Sequence, residues 1–215
     1  MLLMLGSLLL LFACPSEATT RKGGYAEDAV SSTAMASFKK DNFNFMVVRL
    51  WKNTGRYDSV GSANLRTARN AGFQDIHGLF TPCLTTDCAT VETQVEAAIN
   101  QLKSNDDSID TFWIDVHDDT WNNRGDVVAN EQLLQLIGNK ALSMGQKVSG
   151  RWTQIMGDDY KGLSWMPLWD YHPGDDLKQK QNTYKDYGGW TSTYMRTYEN
   201  DAYGITNFID LIDMY

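Results

Sequence analysis

The chain has 215 residues, 42% of them hydrophobic and 21% charged, with a formal net charge of −8. That length builds one sizeable core and is short for two comfortable domains. The composition is that of an ordinary globular protein, and the acidic balance argues against nucleic acid as a partner and, weakly, against an anionic membrane surface.

The first segment, MLLMLGSLLLLFACPSEATT, carries an apolar run from Leu2 to Ala13 and then small residues around Ser16 and Ala18. The run suits the core of a secretory signal and is too short to span a bilayer comfortably, although no Lys or Arg precedes it. Residues 1–18 are therefore read as a signal peptide and 19–215 as a single domain, exported to an extracellular or endo-lysosomal compartment without stable membrane insertion. A buried first helix is the competing reading. Cleavage would remove Cys14 and leave Cys83 and Cys88 in TPCLTTDC. So close a pair in an exported chain reads as a loop disulfide. Half of a metal site is the alternative, disfavoured because no second Cys or His pair lies nearby. No metal and no cofactor is expected.

Helical and apolar segments then alternate. Residues 31–40 open on SST, a capping sequence, with Met35 and Phe38 on one side. FMVVRLW, 45–51, reads as a strand. Residues 62–71 space Leu65, Ala68 and Ala71 helically and stop at Gly72, before an apolar run over 73–80. Residues 90–103 place Val91, Val95, Ala98 and Leu102 on one face, and 112–116 form the next strand. Residues 127–144 carry Leu133, Leu134, Ile137 and Leu142 and end at Gly145. Further strands are expected at 167–171 and 209–214, with aromatic loop and few helices over 157–190. This alternation predicts a parallel sheet with crossover helices. A complete eight-fold barrel takes about 250 residues. The expected fold class is therefore α/β, a shortened, irregular β/α (TIM-like) barrel with helices missing from its second half.

Functional residues of such a barrel sit at the C-terminal ends of its strands. Those ends are Tyr25 to Asp28, Trp51, Phe80, Asp115 to Asp119, Trp169 to His172, Tyr198 to Glu199 and Asp210 to Asp213. The set is acidic and aromatic. Aromatic faces stack on sugar rings, and carboxylates do general acid and base work on glycosidic bonds. Any one of these aromatics reads equally well as core packing. The densest cluster is FWIDVHDDTW, 112–121, an apolar strand running into Asp115, His117, Asp118 and Asp119. A hard cation held by DVHDD is a weaker reading, because the chain has only three histidines, His77, His117 and His172.

At this point the chain resembles the family 25 glycoside hydrolases, the Chalaropsis-type lysozymes, in their short branch from protists and invertebrates. GGYAEDAVSSTAMASFKKDNFNFMVVRLW is similar to that branch's opening strand, helix and second strand, and FTPCLTTDCATVETQV to its third-strand loop with a cysteine pair. FWIDVHDDTW resembles the fourth strand, RWTQIMGDDY and MPLWDYHPG the fifth and sixth segments, and YGGWTSTYMRTY and FIDLIDMY the end. The resemblance implies a flattened β/α barrel that cleaves between N-acetylmuramic acid and N-acetylglucosamine in peptidoglycan. It also implies a site of four acids: one Asp on the first strand, an Asp-x-Glu pair on the fourth, and an Asp near the C-terminus.

Carried onto this chain, the fourth-strand Asp is Asp115 and the Glu is replaced by His117. The late Asp is Asp210. The first-strand Asp falls on Tyr25 when VSSTA is the anchor, while a short slip offers Glu27 or Asp28 instead. KVSGRW, the fifth strand, is a few residues short of the family pattern. Trp51, Trp169, Tyr171 and Tyr198 are the expected glycan-stacking positions. An imidazolium at His117, on the same strand face as Asp115, is a general acid at mildly acidic pH, but its charge opposes an oxocarbenium-like transition state. The expectation is a secreted lysozyme-like protein of peptidoglycan or chitin-like glycan, impaired or inactive as an enzyme. The alternative is a non-catalytic carbohydrate-binding or structural protein on the same barrel, with a protein partner of unknown kind.

Overall fold

Four side chains start the four described helices. Ser31, Asp58, Thr90 and Asp126 accept from Ala34, Val60, Thr93 and Ala129 amides, satisfying donors that a helix start leaves free. The computed structural model describes residues 21–116, 121, 126–152, 160–171, 186–199 and 209–214, with 198, 199 and 209–214 as backbone. The expected signal segment, His117, Asp118, Asp119 and His172 lie outside the described residues. In chain order the elements are β1 (Arg21–Ala26), α1 (Ser32–Lys40), β2 (Phe45–Lys52), β3 (Arg56–Tyr57), α2 (Ser59–Asn70), β4 (Asp75–Phe80) and α3 (Val91–Ser104). Then follow β5 (Phe112–Val116), α4 (Val127–Ser143), β6 (Val148–Trp152), a 3-10 turn (Lys161–Leu163), β7 (Leu168–Asp170), β8 (Met195–Glu199) and β9 (Ile209–Met214). Helix α2 begins earlier than its apolar spacing indicates, because Asp58 is its cap.

β1, β2, β4, β5, β6, β7 and β8 pair in parallel in that order. β9 runs antiparallel between β8 and β1, so the ladder of strands returns to its start. The fold is a curled α/β barrel sheet whose described helices cover only the first half. The two-residue period of a strand then sorts side chains. Tyr25, Phe45, Val47, Leu79, Trp113, Trp169 and Met195 pack inside the ring. Met46, Val48 and Leu50 pack outward with Met35, Phe38 and Leu65 of α1 and α2. Ile114 and Val116 pack outward with Val95, Ile99, Leu134 and Ile137 of α3 and α4. Burial on both faces is why β2 reads as one apolar run rather than an alternation.

Two close approaches shape the barrel. A Cβ on Gly61 would lie 1.6 Å from the Arg49 carbonyl oxygen, so only glycine lets α2 seat on β2 at that level. A Cβ on Gly23 would meet the Phe45 ring at 2.2 Å; its absence lets that ring fill the lower interior. On the outer face of β7 and β8, polar and aromatic contacts do what helices do elsewhere. Asp170 accepts from the Tyr187 hydroxyl at 3.0 Å and lies 3.3 Å from Arg196 Nε. Trp190 donates to the Met166 carbonyl at 2.7 Å and packs on Trp152.

One expectation is corrected by strand direction. Because β9 is antiparallel to its neighbours, its start lies at the end of the barrel where β1 finishes. Asp210 is the backbone partner of Tyr25, whereas Asp213 pairs with Lys22 at the opposite end. Only Asp210 of that pair stands at the level of the other strand ends.

Candidate functional site

The C-terminal ends of β1, β2, β4, β5, β6 and β7 meet at one mouth. On β1, Tyr25 points inward and is buried. Its hydroxyl donates to Glu27 Oε1, two residues on and on the same face. Glu27 Oε2 accepts from Arg49 Nη1 of β2 at 2.6 Å, and Arg49 Nε donates to Asp58 Oδ2 at 2.8 Å. Asp58 is fully buried, accepts from Val60 N at 3.0 Å as the cap of α2, and lies 3.2 Å from Lys52 Nζ. The segment after β1 is fixed by Asn64 of α2, which accepts from Val30 N and donates to the Asp28 carbonyl. Asp28 itself is exposed.

Asp115 is the penultimate residue of β5 and is 5% exposed. Its Oδ2 accepts from Thr81 Oγ1 at 3.0 Å, and its Oδ1 lies 3.7 Å from Arg151 Nη1 without a hydrogen bond. Asp115 and Arg151 are register partners on adjacent parallel strands, which is why the two meet. The Arg151 guanidinium is buried and lies over three rings, 5.1 Å from Tyr25, 4.7 Å from Trp169 and 3.8 Å from Tyr171. Such placement trades water for the negative ring faces.

Burial pushes the Tyr25 phenol well above its ordinary pKa; the charges of Glu27 and Asp115 add to this and that of Arg151 opposes it. Tyr25 therefore stays protonated and acts as a donor. For Arg49, burial works against the charge, and the Asp58 bond with the nearby Glu27 outweighs it, so its pKa is raised. The chemistry of this mouth is two carboxylates, Glu27 and Asp115, each facing a guanidinium, with a phenol between them.

The sequence-predicted residues distribute unevenly. Tyr25, Asp115 and Tyr171 come together through Arg151. Trp169 lies inside the barrel with no exposed surface; its indole donates to Thr197 Oγ1 at 2.9 Å and meets Tyr25 and Trp113 edge-on. Trp51 is also buried, and here the cause is a bulge. The β2–β4 register shifts between Arg49 and Trp51, which re-aims Trp51 onto the helix side. There it stacks on Phe80 and donates to Gln94 Oε1 at 3.0 Å. Neither tryptophan offers a ring face to solvent, contrary to the stacking role expected of them, because both strands bury residues on both faces. Tyr198 lies on β8 and Asp210 on β9, described as backbone; His117 lies outside the described residues.

Cys83 and Cys88 are bonded, in the loop after β4. Gln94 of α3 fastens that loop by accepting from Cys83 N and donating to the Cys83 and Ala89 carbonyls. Among the described residues no group of three or more metal-ligating side chains occurs, and no helix is long and apolar enough to cross a membrane. Arg49 and Arg151, central to the mouth, were missed by the sequence reading. The signal was present in FMVVRLW and KVSGRW: a lone charge inside an otherwise buried strand needs a partner.

Comparison with known proteins places this geometry. The family model described as Lysozyme-like protein 1 matches residues 17–198. The chain is similar to Lysozyme-like protein 5 of Caenorhabditis elegans, 29% identical over 201 residues, covering 91% of each chain. The fold is similar to that of a family GH25 lysozyme from Aspergillus fumigatus, with TM-score 0.66 and 18% identity over 92% of this chain and 94% of that one. It is also similar to the modular autolysin LytC of Streptococcus pneumoniae, solved with a synthetic peptidoglycan ligand, with TM-score 0.68 and 13% identity. That match covers 91% of this chain and 47% of the autolysin.

Proposed function

Because the chain belongs to the Lysozyme-like protein 1 family, of family 25 lysozyme type, we propose that it engages peptidoglycan glycan at the barrel mouth, as an exported protein with impaired hydrolysis. The observation that carries this is the state of Asp115. It is buried, with one oxygen bonded to Thr81 and the other facing Arg151, so this carboxylate of β5 is turned into the protein rather than presented to a ligand. Glycoside cleavage needs a proton donor beside a second carboxylate. Tyr25 is a poor donor because its pKa is raised, and His117 stands at the position of the family's Glu. Loss of a general acid alone costs typically about 10²–10⁴ in rate. Export is supported by the apolar run from Leu2 to Ala13 and by the Cys83–Cys88 bond.

The test is turbidity clearing of a bacterial cell-wall suspension from pH 4 to pH 8, with glycan binding followed by NMR on the same protein. The expected result is binding with little or no clearing, and a gain of clearing in His117→Glu, larger when combined with Tyr25→Asp. Robust clearing by the native chain that Asp115→Asn leaves unchanged would show that the reaction is run elsewhere.

A further inference from the structure

Among Glu27, Asp58 and Asp115, the carboxylates held by a guanidinium at the mouth, Glu27 keeps a solvent edge. Its side chain is 41% exposed, against 7% for Asp115 and 0% for Asp58. It is nonetheless held from two sides, by the Tyr25 hydroxyl on Oε1 and by Arg49 on Oε2. The hold continues inward, since Arg49 is fixed by Asp58, and Asp58 is fixed by the first turn of α2. Gly61 lets that turn lie against the Arg49 backbone, and Asn64 of the same helix pins the chain on either side of Ala29. A surface glutamate with no task samples many rotamers, and ordering it costs side-chain entropy. Here a buried cap, a bridging guanidinium and a phenol all converge on one half-exposed carboxylate.

We propose that Glu27 is the ligand-contacting carboxylate of the mouth, and that Arg49, anchored on Asp58, is its positioning residue. This rests on the glycan reading above. The carboxylate's remaining lone pairs accept from hydroxyl or acetamido N–H groups of an N-acetylated hexosamine. The two internal donors, Tyr25 and Arg49, fix the carboxylate's orientation. Tyr25, which replaces a carboxylate in the resemblance, then serves to orient Glu27 rather than to touch the reacting bond. Hydrogen bonds to a charged acceptor are stronger than neutral ones, so this one contact carries a large share of a weak affinity.

The test uses the full chain titrated with a soluble N-acetylglucosamine–N-acetylmuramic acid oligomer, followed by NMR and by thermal melting. In the native protein, amide shifts are expected to concentrate at residues 26–28 and 49. Glu27→Gln should weaken binding about tenfold or more with the melting temperature nearly unchanged. Arg49→Lys, which keeps a cation on Asp58 but lacks the fork to span both carboxylates, should weaken binding less. If Glu27→Gln fails to fold, the shift map of the native protein still decides. Native binding without shifts at 26–28, or an unchanged affinity in Glu27→Gln, overturns this assignment alone. No binding by the native chain at millimolar oligomer overturns the glycan reading and this assignment with it.

Discussion

At the lower end of the barrel, Asp75 is clasped between Arg21 and His77, with His77 Nε2 3.1 Å away. At the mouth, Asp115 has Thr81 on one oxygen and a guanidinium 3.7 Å from the other. Both are carboxylates on inward-facing strand positions beside a cation, yet they are held differently. Burial raises the Asp75 carboxyl, but His77 and Arg21 outweigh it and bring its pKa down to about 2. The lower cluster is a clasp of short contacts that reaches from Arg21 on β1 across β2 to Asp75 on β4, where His77 stands two residues along the same strand. Around Asp115 the charges are instead spaced, and Arg151 is spread over three aromatic rings. The difference teaches that a cation near a carboxylate is not one kind of interaction. At one end it ties strands together; at the other Arg151 fills the barrel interior beside Asp115, while a second guanidinium, Arg49, holds Glu27 with an edge toward solvent.

The comparison can be broken most severely from the inside of the mouth. Trp169→Ala removes a fully buried indole against which Tyr25 and Arg151 lie. It should cost about 4 kcal/mol, read by urea denaturation. A small loss of stability with a large loss of glycan affinity would instead make Trp169 a stacking platform. Arg151→Met should cost about 3 kcal/mol, because it leaves Asp115 buried without its counter-ion. Adding Asp115→Asn should return part of that loss, and a double variant as unstable as the sum of the two singles would show that the charges do not communicate. In the loop after β4, Cys83→Ser with Cys88→Ser should cost about 2 kcal/mol by loop entropy. Mass spectrometry of the unreduced native protein should find the two residues linked.

The smallest effect sharpens the lower end. A carboxyl whose folded pKa is depressed adds stability above its unfolded value, and that stability is lost as pH falls through the folded value. For Asp75 the window runs from about pH 4 down to about pH 2. Its share should be about 1–2 kcal/mol, since Arg21 is partly exposed and its contribution screened. Melting temperature followed over that range should fall less in Asp75→Asn than in the native chain. An identical acid limb would remove Asp75 from the account.

Much of this was legible in the chain. The four helices were marked by three- and four-residue apolar spacing, the first also by its SST cap, and the strands by dense apolar runs. The pairing of Cys83 with Cys88 followed from close spacing. Asp115 near a strand end was visible because an ionisable group after three apolar residues, followed by His117, Asp118 and Asp119, marks where the apolar run gives out. These are local signals, set by backbone hydrogen bonding and by which face of one element must leave water.

Other features depended on what each strand lies beside. A strand buried on both faces shows no alternation, so nothing in FMVVRLW or MPLWDYHPG said that Trp51 faces helices or that Trp169 fills the barrel. A bulge between Arg49 and Trp51 decided the first, and the ring of Tyr25, Trp113 and Trp169 the second. Strand direction separated Asp210 from Asp213, since only the pairing of β9 with β1 shows which end of β9 reaches the mouth. The guanidiniums of Arg49 and Arg151 acquired their roles from partners on other elements, Asp58 and Glu27 for one, Asp115 and three rings for the other. The sequence alone determined the elements and their order, because those follow from neighbours along the chain. Which charges meet and which carboxylate faces solvent was decided by tertiary structure, because Coulomb and hydrogen-bond energies depend on distances in space that residue spacing does not contain.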